Sequence, residues 1–339
     1  MDFAVRIRFS QSGNGFRSSH PVFAMRNATP KNSSKRRCLC PAVSLWVPSW
    51  HRRESLGASG IGYAALVPFM PELPDVEAFR RFLNRTANRQ TIEKVTVRDE
   101  LILRGVPARR FQAQVKEKKF TSTLRHGKYI FVSLQPVESR SARKGFLVFH
   151  FGMTGYLRSF SGHEPEPEYN RLIFHLSNGL SIAFNCRRRL GSIWYTEDRE
   201  EFIARRHLGP DALRIDFQDF LQLLAIKKGG IKCVLMDQSI LSGIGNIYAD
   251  EILFQARLHP RTPLTAMDAS DKKNLFEAIH SVLHKAAALN ANPARFPRMY
   301  LNRHRHSRGL CPRCQATLTT IHACGRTAYV CPREQLLKH

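Results

Sequence analysis

The sequence predicts an α+β protein with several domains, and three features of its 339 residues indicate this class. Residues 70–196 contain several apolar runs and an Asn-Gly dipeptide between two of them, which favours a β-hairpin. Helical spacing of apolar residues dominates after residue 207. Half of the eight cysteines lie between residue 311 and the end of the chain. We therefore expect a strand-rich N-terminal domain, a helical domain and a small cysteine-bearing C-terminal unit.

The strand-rich domain begins with a helix whose apolar residues Val76, Phe79 and Leu83 share one face. Asp75 is suited to cap the first turn of this helix. Apolar runs then predict strands, and the clearest pair is a hairpin closed by Asn178-Gly179. This pattern predicts a β-sandwich with a flanking helix over 70–196. The strands are expected near 92–97, 129–132, 145–151, 171–176 and 180–185.

The helical domain is expected over 207–292, after a break at His207-Leu-Gly-Pro. Helices are predicted at 217–225, 231–238, 247–256 and 270–289.

A turn with two glycines, Gly243 and Gly245, precedes the third of these helices. Glycines let the backbone approach a ligand closely, and Asn246 stands where it could cap the helix. N–H groups at a helix N-terminus form a phosphate site, to which Lys232 could add charge. A plain connection between two helices explains the same pattern.

The cysteine cluster occupies the domain expected at 307–339. It reads Cys311-Pro-Arg-Cys314, followed after sixteen residues by Cys331-Pro-Arg-Glu334. Two C-x₂-C corners with this separation would hold one tetrahedral structural zinc ion. Here Glu334 stands in the fourth position, so the fourth ligand is open. Cys324, His322 and His339 are the other candidates, and a hairpin held by packing without metal is the alternative.

The charge balance indicates the partner. There are 53 Lys and Arg against 27 Asp and Glu, which gives a formal net charge of +26. An excess of this size predicts a polyanion, with nucleic acid ahead of an anionic membrane. No run approaches the roughly 18 apolar residues of a membrane span. The cysteine content does not fit a secreted disulfide scaffold.

Residues 1–69 differ from the rest, with ten basic residues and only two acidic ones. Three interpretations compete: an organelle transit peptide, a disordered basic arm that touches DNA, or a start codon assigned too far upstream. We favour the third for a chemical reason that concerns Pro71.

The octapeptide from Met70 to Glu77 resembles the start of the family that contains formamidopyrimidine-DNA glycosylase and endonuclease VIII. Other motifs follow in the same order along 70–334. Lys128 lies in a segment that resembles the one bearing the family's early active-site lysine. The segment 231–250 is similar to the family's helix–two-turn–helix, and 311–334 is similar to its zinc finger. Met153 lies in a segment that resembles the family's loop with a methionine that fills the void left in the duplex. The segment 186–191 resembles the family's wedge loop, which enters the duplex. Arg326 resembles the zinc-finger arginine that binds a phosphate.

The resemblance implies a bifunctional DNA glycosylase and AP lyase that acts on oxidised purines, such as 8-oxoguanine and formamidopyrimidines, in duplex DNA. Such an enzyme flips its target nucleotide out of the stack. Pro71 would attack the sugar through a free amine, and Glu72 would be the general acid. The flanking phosphates would be held by Lys128, Arg326, Asn246 and Lys232. Since an internal proline has an amide nitrogen, the chain must begin at Pro71, which favours initiation at Met70.

The void left by the flipped nucleotide would be filled from the two matched loops. The candidates are Met153, Arg188, Arg189 and Leu190. Core packing is the alternative for Met153, and a solvated basic loop is the alternative for the arginines.

Two positions depart from the family's pattern. Leu190 stands where an aromatic wedge is common, so its stacking into the duplex should be weaker. The segment 292–306 replaces a Gly- and Tyr-rich stretch that helps to cap the lesion in the family, which leaves the substrate open. An endonuclease VIII-like enzyme for oxidised pyrimidines and an inactive binder of damaged DNA are the alternatives. We expect a monomer with no membrane partner. It would act in the cytoplasm or nucleoid of a bacterium, or in an organelle if 1–69 is a transit peptide.

Overall fold

The computed structural model describes residues 70–137, 145–162, 166 and 168–339. The expectations for residues 1–69 lie outside this part of the chain. The first half forms two four-stranded antiparallel sheets with strand orders β1-β6-β7-β5 and β2-β3-β4-β8. Its elements are α1 (Leu73–Thr86), β1 (Ile92–Val97), α2 (Ala108–Val115), β2 (Lys118–His126), β3 (Tyr129–Pro136), β4 (Gly145–His150), β5 (Gly155–Ser161), β6 (Asn170–Leu176), β7 (Leu180–Cys186), β8 (Ser192–Thr196) and α3 (Arg199–Arg205).

The second half is helical and ends in a two-stranded hairpin. Its elements are α4 (Phe217–Ala225), α5 (Ile231–Met236), α6 (Asn246–Gln255), α7 (Ala269–Ala288), β9 (Thr319–Ala323) and β10 (Arg326–Val330). The four predicted helices are confirmed within two residues at each end, and the predicted α+β class is confirmed. None of the helices in the described ranges is long and apolar enough to span a membrane.

Apolar side chains from both sheets form the first core, in which Phe149 and Phe174 have ring centroids 6.1 Å apart. Burial of each such side chain contributes roughly 1.5–3 kcal/mol. The predicted hairpin is confirmed as β6 and β7, with Phe174 opposite Ile182. Its turn uses Gly179 at φ +78°, a conformation that glycine adopts without strain.

Helix α1 joins the two halves of the molecule. Val76, Phe79 and Leu83 are buried in the sandwich core, whereas Leu73 is buried in the core of the helical domain. Because Leu73 follows Pro71 and Glu72 directly, the start of α1 lies at the junction of the two domains. This junction carries the candidate catalytic residues.

Candidate active site

The Glu72 carboxylate lies at the N-terminus of α6. It accepts hydrogen bonds from the backbone N–H groups of Gly245 at 2.7 Å, Ile247 at 2.8 Å and Tyr248 at 3.2 Å. These are N–H groups that the first turn of a helix leaves without intrahelical partners. Glu72 is 2% exposed, so it acts as an internal cap between two domains.

Two glycines let the start of α1 approach this turn. A Cβ on Gly245 would lie 2.4 Å from the Glu72 side chain, and one on Gly243 would lie 2.5 Å from Leu73. Gly243 also has φ +120°, and its carbonyl accepts a hydrogen bond from the Leu73 N–H. The close approach predicted for these glycines is confirmed, but the partner is the protein's own N-terminal segment.

Two expectations for this turn are wrong. The N-cap residue of α6 is Gly245, which has no side chain to cap the helix, and Asn246 is the first residue inside the helix. The helix N-terminus cannot serve as an open phosphate site, because Glu72 already accepts its N–H bonds. The Glu72 carboxylate, from a distant part of the chain, both caps the helix and is the anion at its N-terminus.

Lys128 reaches the same junction from the tight turn between β2 and β3. Its neighbour Gly127 has φ +54° and packs so closely that a Cβ would lie 2.7 Å from Ser242. Asp211 accepts a 2.7 Å hydrogen bond from the Gly127 N–H and a paired ion contact from Arg125. The turn that carries Lys128 is therefore fixed against the helical domain.

The charged groups at this junction shift one another's pKa values. Burial raises the pKa of Glu72, although Lys128 and the three N–H groups oppose the shift. Burial also raises the pKa of Asp75 to about 8, and the charge of Glu72 adds to the shift. Burial lowers the pKa of Lys128, against the pull of both carboxylates. Buried titratable groups whose pKa values shift one another in this way are a common feature of functional sites.

Pro71 is buried beside this cluster. In the 339-residue chain its nitrogen is part of the peptide bond to Met70. Asp75 fixes the following residue, because its Oδ2 accepts the Glu72 N–H at 3.0 Å. The structure thus brings Pro71, Glu72 and Lys128 to one buried junction, as expected from the sequence.

His150 was missed in the sequence. It lies opposite Tyr129 in the β3–β4 pairing, and its imidazole ring is 4.8 Å from the Tyr129 ring. Burial and the charges of Lys128 and Arg206 lower the pKa of His150 to about 4, so it is neutral at pH 7. Its position just before the loop that carries Met153 was the signal in the sequence that could have identified it as a site residue.

The two loops expected to enter DNA lie against each other. A Cβ on Gly152 would lie 2.2 Å from the Leu190 carbonyl oxygen, and the Arg188 N–H donates to Thr154 Oγ1 at 3.2 Å. Met153 is half-buried, Arg188 is exposed, and Leu190 is 46% exposed although it is apolar. The Arg189 Nε is 2.8 Å from Asp99 Oδ2.

Lys232 does not reach the surface, contrary to expectation. Its side chain is fully buried, and its ammonium is 2.6 Å from Asp250 Oδ1. The other oxygen of Asp250 accepts hydrogen bonds from Arg305 at 2.8 Å and from the Tyr329 N–H at 3.2 Å. This network ties α5 and α6 to β10, so Lys232 has a structural role here rather than a phosphate contact.

Arg326 is exposed at the start of β10, and Asn246 lies beside this hairpin. The Asn246 Nδ2 donates to the carbonyl of Thr327 at 3.2 Å. The two residues expected to hold phosphates therefore meet at one edge of the junction.

Three thiols, those of Cys311, Cys314 and Cys331, lie within 4.8 Å of one another. The Sγ atoms of Cys314 and Cys331 are 3.4 Å apart. No fourth His, Cys, Asp or Glu of the described residues completes the cluster. Glu334 is not a member, which corrects the expectation from its spacing, and its carboxylate faces Arg257 at 3.6 Å and Arg313 at 3.8 Å.

The segment 292–306 is anchored on α6 by Glu251. The Glu251 carboxylate accepts the N–H of Leu301 at 3.2 Å and that of Asn302 at 2.8 Å. Burial raises the pKa of Glu251 to about 7. Met299, in the same segment, is 49% exposed. The segment therefore presents a fixed surface beside the junction.

Comparison with known proteins identifies the family. Residues 70–193 match the formamidopyrimidine-DNA glycosylase N-terminal domain, and residues 208–297 match the formamidopyrimidine-DNA glycosylase H2TH domain. A formamidopyrimidine-DNA glycosylase of Heliobacterium modesticaldum is 32% identical, over 78% of this chain and 100% of that protein. One of Arabidopsis thaliana is 31% identical, over 70% of this chain and 64% of that protein.

Solved structures show the same fold. Lactococcus lactis Fpg (MutM) in complex with DNA containing N7-benzyl-Fapy-dG has a TM-score of 0.69 at 23% identity, covering 78% of this chain and 99% of that one. The same protein with DNA containing an abasic site has a TM-score of 0.68, with the same identity and coverage. Taken together with the sequence matches, these likenesses mean that the chain belongs to the formamidopyrimidine-DNA glycosylase family.

Proposed function

We propose that this chain is a bifunctional glycosylase and AP lyase that excises oxidised purines from duplex DNA and uses Pro71 as its nucleophile. The observation that carries the proposal is the buried junction where Pro71, Glu72 and Lys128 meet. A damaged base must leave the duplex stack to reach such a junction. The positive charge of +26 supports binding to the phosphate backbone.

The chemistry requires a chain that begins at Pro71. A terminal amine has a pKa of about 8, so part of it is neutral at pH 7 and can attack C1′ of the sugar. The amine gains the bond to C1′ and loses a proton, while the bond from C1′ to the base breaks. Glu72 supplies a proton to the departing base, which its raised pKa favours. The sugar ring then opens: the C1′–O4′ bond breaks, O4′ gains a proton and the nitrogen lone pair forms an iminium with C1′. The iminium acidifies C2′, and proton loss there expels the 3′ phosphate, followed by the 5′ phosphate.

Positioning of the substrate falls to groups around the junction. We assign Lys128, Asn246 and Arg326 to the phosphates that flank the lesion. Met153, Arg188 and Leu190 would fill the space left by the flipped nucleotide. Arg189 would support this loop, since it is paired with Asp99.

We assign one structural zinc ion to Cys311, Cys314 and Cys331. Thiolates are preferred zinc ligands, and the mutual distances of these three Sγ atoms fit a common ion. When bound, zinc would stabilise the fold of the hairpin that carries Arg326. The three thiolates would hold it next to β9 and β10, away from the reacting sugar.

Borohydride trapping tests the proposal. We would produce the protein from Met70, confirm by mass that it begins at Pro71, and mix it with duplex DNA bearing 8-oxoguanine opposite cytosine. A covalent adduct on Pro71 is expected, and a Pro71→Gly variant with the same start should trap much less. Full lyase activity in this variant would refute the assignment of Pro71.

Two further substrates separate the alternatives. Trapping on abasic-site DNA and on an oxidised pyrimidine, without trapping on 8-oxoguanine, would indicate an endonuclease VIII-like preference. No adduct on any of the three substrates would indicate a DNA-binding protein without catalysis.

A further inference from the structure

Strand β6 carries a bulge beside the 186–191 loop. The register of β6 against β7 shifts between Asn170 and Leu172, so Arg171 is an extra residue at this point. A bulge breaks the alternation of side chains along a strand and re-aims one of them. The Arg171 side chain is therefore free to turn toward the loop that follows β7.

The Arg171 guanidinium holds the backbone at the start of this loop. Its Nε donates to the Cys186 carbonyl at 3.0 Å, and its Nη2 donates to the Arg187 carbonyl at 3.4 Å. Its Nη1 is 3.7 Å from Asp99 Oδ2, and the Arg171 side chain is only 16% exposed. One largely buried arginine thus binds two consecutive carbonyls and faces a carboxylate.

Asp99 fixes the other side of the loop. Its Oδ2 is 2.8 Å from Arg189 Nε. Arg189 has φ +55°, and its N–H donates to the Cys186 carbonyl at 3.3 Å, which closes a tight turn. A positive φ is uncommon for a residue with a Cβ. The ion pair with Asp99 therefore supports a turn that arginine does not favour by itself.

The other backbone contacts of the loop lie on both sides of Arg188. The Arg188 N–H donates to Thr154 Oγ1 at 3.2 Å, and the Gly191 N–H donates to Cys186 Sγ at 3.2 Å. The side chains of Arg188 and Leu190 are exposed. The backbone is thus anchored around Arg188, while the Arg188 side chain points out of the loop.

We propose that Arg171 and Asp99 are positioning residues that fix the direction of Arg188 and so set the preference for the base opposite the lesion. The inference rests on the proposed function, in which Arg188 enters the space left by the flipped nucleotide. An arginine presents a planar fork of donors and no acceptor. The pairing edge of cytosine offers two neighbouring acceptors, O2 and N3, whereas that of adenine offers one acceptor beside a donor.

A fork that is already held in place can use two donors on cytosine at little cost. A mobile fork must first be ordered, and this loss of conformational freedom reduces its advantage. Arg171 and Asp99 touch no base in this arrangement. They act through the loop backbone and through Arg189, which keeps the turn closed.

Relative affinity for two duplexes tests the inference. We would bind the full chain to DNA with a stable abasic-site analogue opposite either cytosine or adenine, and measure the ratio of the two affinities. The parent should favour cytosine. Arg171→Met should lower the ratio by about fivefold or more, as expected when a two-donor contact with a base is lost. An equal fall of both affinities, with the ratio unchanged, would overturn the inference.

Arg98→Met is the matched control for charge and position. Arg98 precedes Asp99 directly, but its side chain pairs with Glu166 at 3.1 Å near the surface. This variant loses the same charge, so its ratio should stay at the parent's value. A similar fall of the ratio in Arg98→Met would mean that general charge, and not positioning, sets the preference.

Two further variants test whether Arg171 acts through Arg188. Arg188→Met should lose the preference to a similar extent, and adding Arg171→Met to it should change the ratio little. Independent, additive effects would overturn the inference. Asp99→Asn keeps an oxygen for the Leu101 N–H, which the Asp99 Oδ1 accepts at 3.1 Å, so the fold should be retained. Its ratio should fall in the same direction as that of Arg171→Met.

The same assay separates this inference from the proposed function. A full chain that binds abasic-site DNA better than intact duplex, but equally well with either opposite base, would overturn the inference alone. Equal binding to abasic-site and intact duplex would count against the proposed function, and the inference would fall with it.

Discussion

The Gly245 N–H donates a 2.7 Å hydrogen bond to the carboxylate of Glu72, a residue 173 positions earlier in the chain. The same carboxylate stands beside the proposed nucleophile Pro71. One side chain therefore caps a helix of the helical domain and is assigned the proton transfer to the departing base. Catalysis and the contact between domains are coupled through it, so a substitution here has two measurable effects.

Glu72→Gln should separate these effects. One amide oxygen replaces two acceptors, so we expect a stability loss of about 1–2 kcal/mol. Base excision in single turnover should fall by about 10²-fold or more, because the general acid is lost. Cleavage of abasic-site DNA should fall less, since no base has to leave. Equal losses on both substrates would argue for a purely structural role.

Gly245→Ala should disturb the junction by a steric clash alone. The added Cβ would lie 2.4 Å from Glu72 Cδ, so either the carboxylate or the turn must move. We expect a loss of about 1–3 kcal/mol and strongly reduced trapping. Gly162→Ala is the matched control, because a Cβ there meets nothing within 4 Å. Similar trapping by both variants would contradict the geometry.

Lys232→Met should reveal a structural ion pair rather than a phosphate contact. Removal of one partner from a buried pair costs about 3–5 kcal/mol, and the remaining Arg305 contact should place the loss near the lower limit. Urea unfolding measures this loss. The slope of log affinity against log salt should stay unchanged, because no phosphate partner is removed. A slope reduced by about one would restore the phosphate role.

The proposed zinc site predicts which substitutions abolish metal binding. Cys314→Ser should lose zinc, as measured by atomic absorption, and should lower the melting temperature. Glu334→Gln should retain about one equivalent, since Glu334 faces Arg257 and Arg313 instead of the thiols. Loss of zinc from Glu334→Gln would reinstate Glu334 as a ligand.

Asp75 should make stability depend on pH. Its pKa is near 3.8 in the unfolded chain and about 8 in the folded protein, so the folded state holds an extra proton between these values. Stability should therefore fall as pH rises from about 4 to about 8. Asp75→Asn removes this titration. The free energy of unfolding of the variant minus that of the parent should therefore rise by at least about 1 kcal/mol between about pH 4 and about pH 8. Unfolding free energies at both ends measure it, and a constant difference would contradict the raised pKa.

Local signals in the sequence predicted local structure well. The Asn178-Gly179 turn needs only its own two residues, and the spacing of apolar residues placed α4 at its observed bounds. The family motifs also brought Pro71, Glu72 and Lys128 to one site. These features depend on short segments that carry their own conformational preferences.

Partners from distant segments were not visible in the sequence. Asn246 has a side chain that could cap α6, but the Glu72 carboxylate accepts the N–H groups of the first turn once the domains fold together. Lys232 has the chemistry of a phosphate ligand, but Asp250 accepts its charge inside the domain. No spacing rule links either pair, because each forms only through tertiary packing.

The contact of Arg125 and Gly127 with Asp211 has a mechanical consequence for DNA. It is a buried, charged and closely packed joint, so the sandwich and the helical domain cannot open like a hinge without exposing it. On the proposed function, the distortion needed to extrude a nucleotide would therefore fall on the duplex rather than on the protein. A lesion that has already softened the stack would cost less to bend, so a stiff joint would favour damaged duplex before any base is recognised.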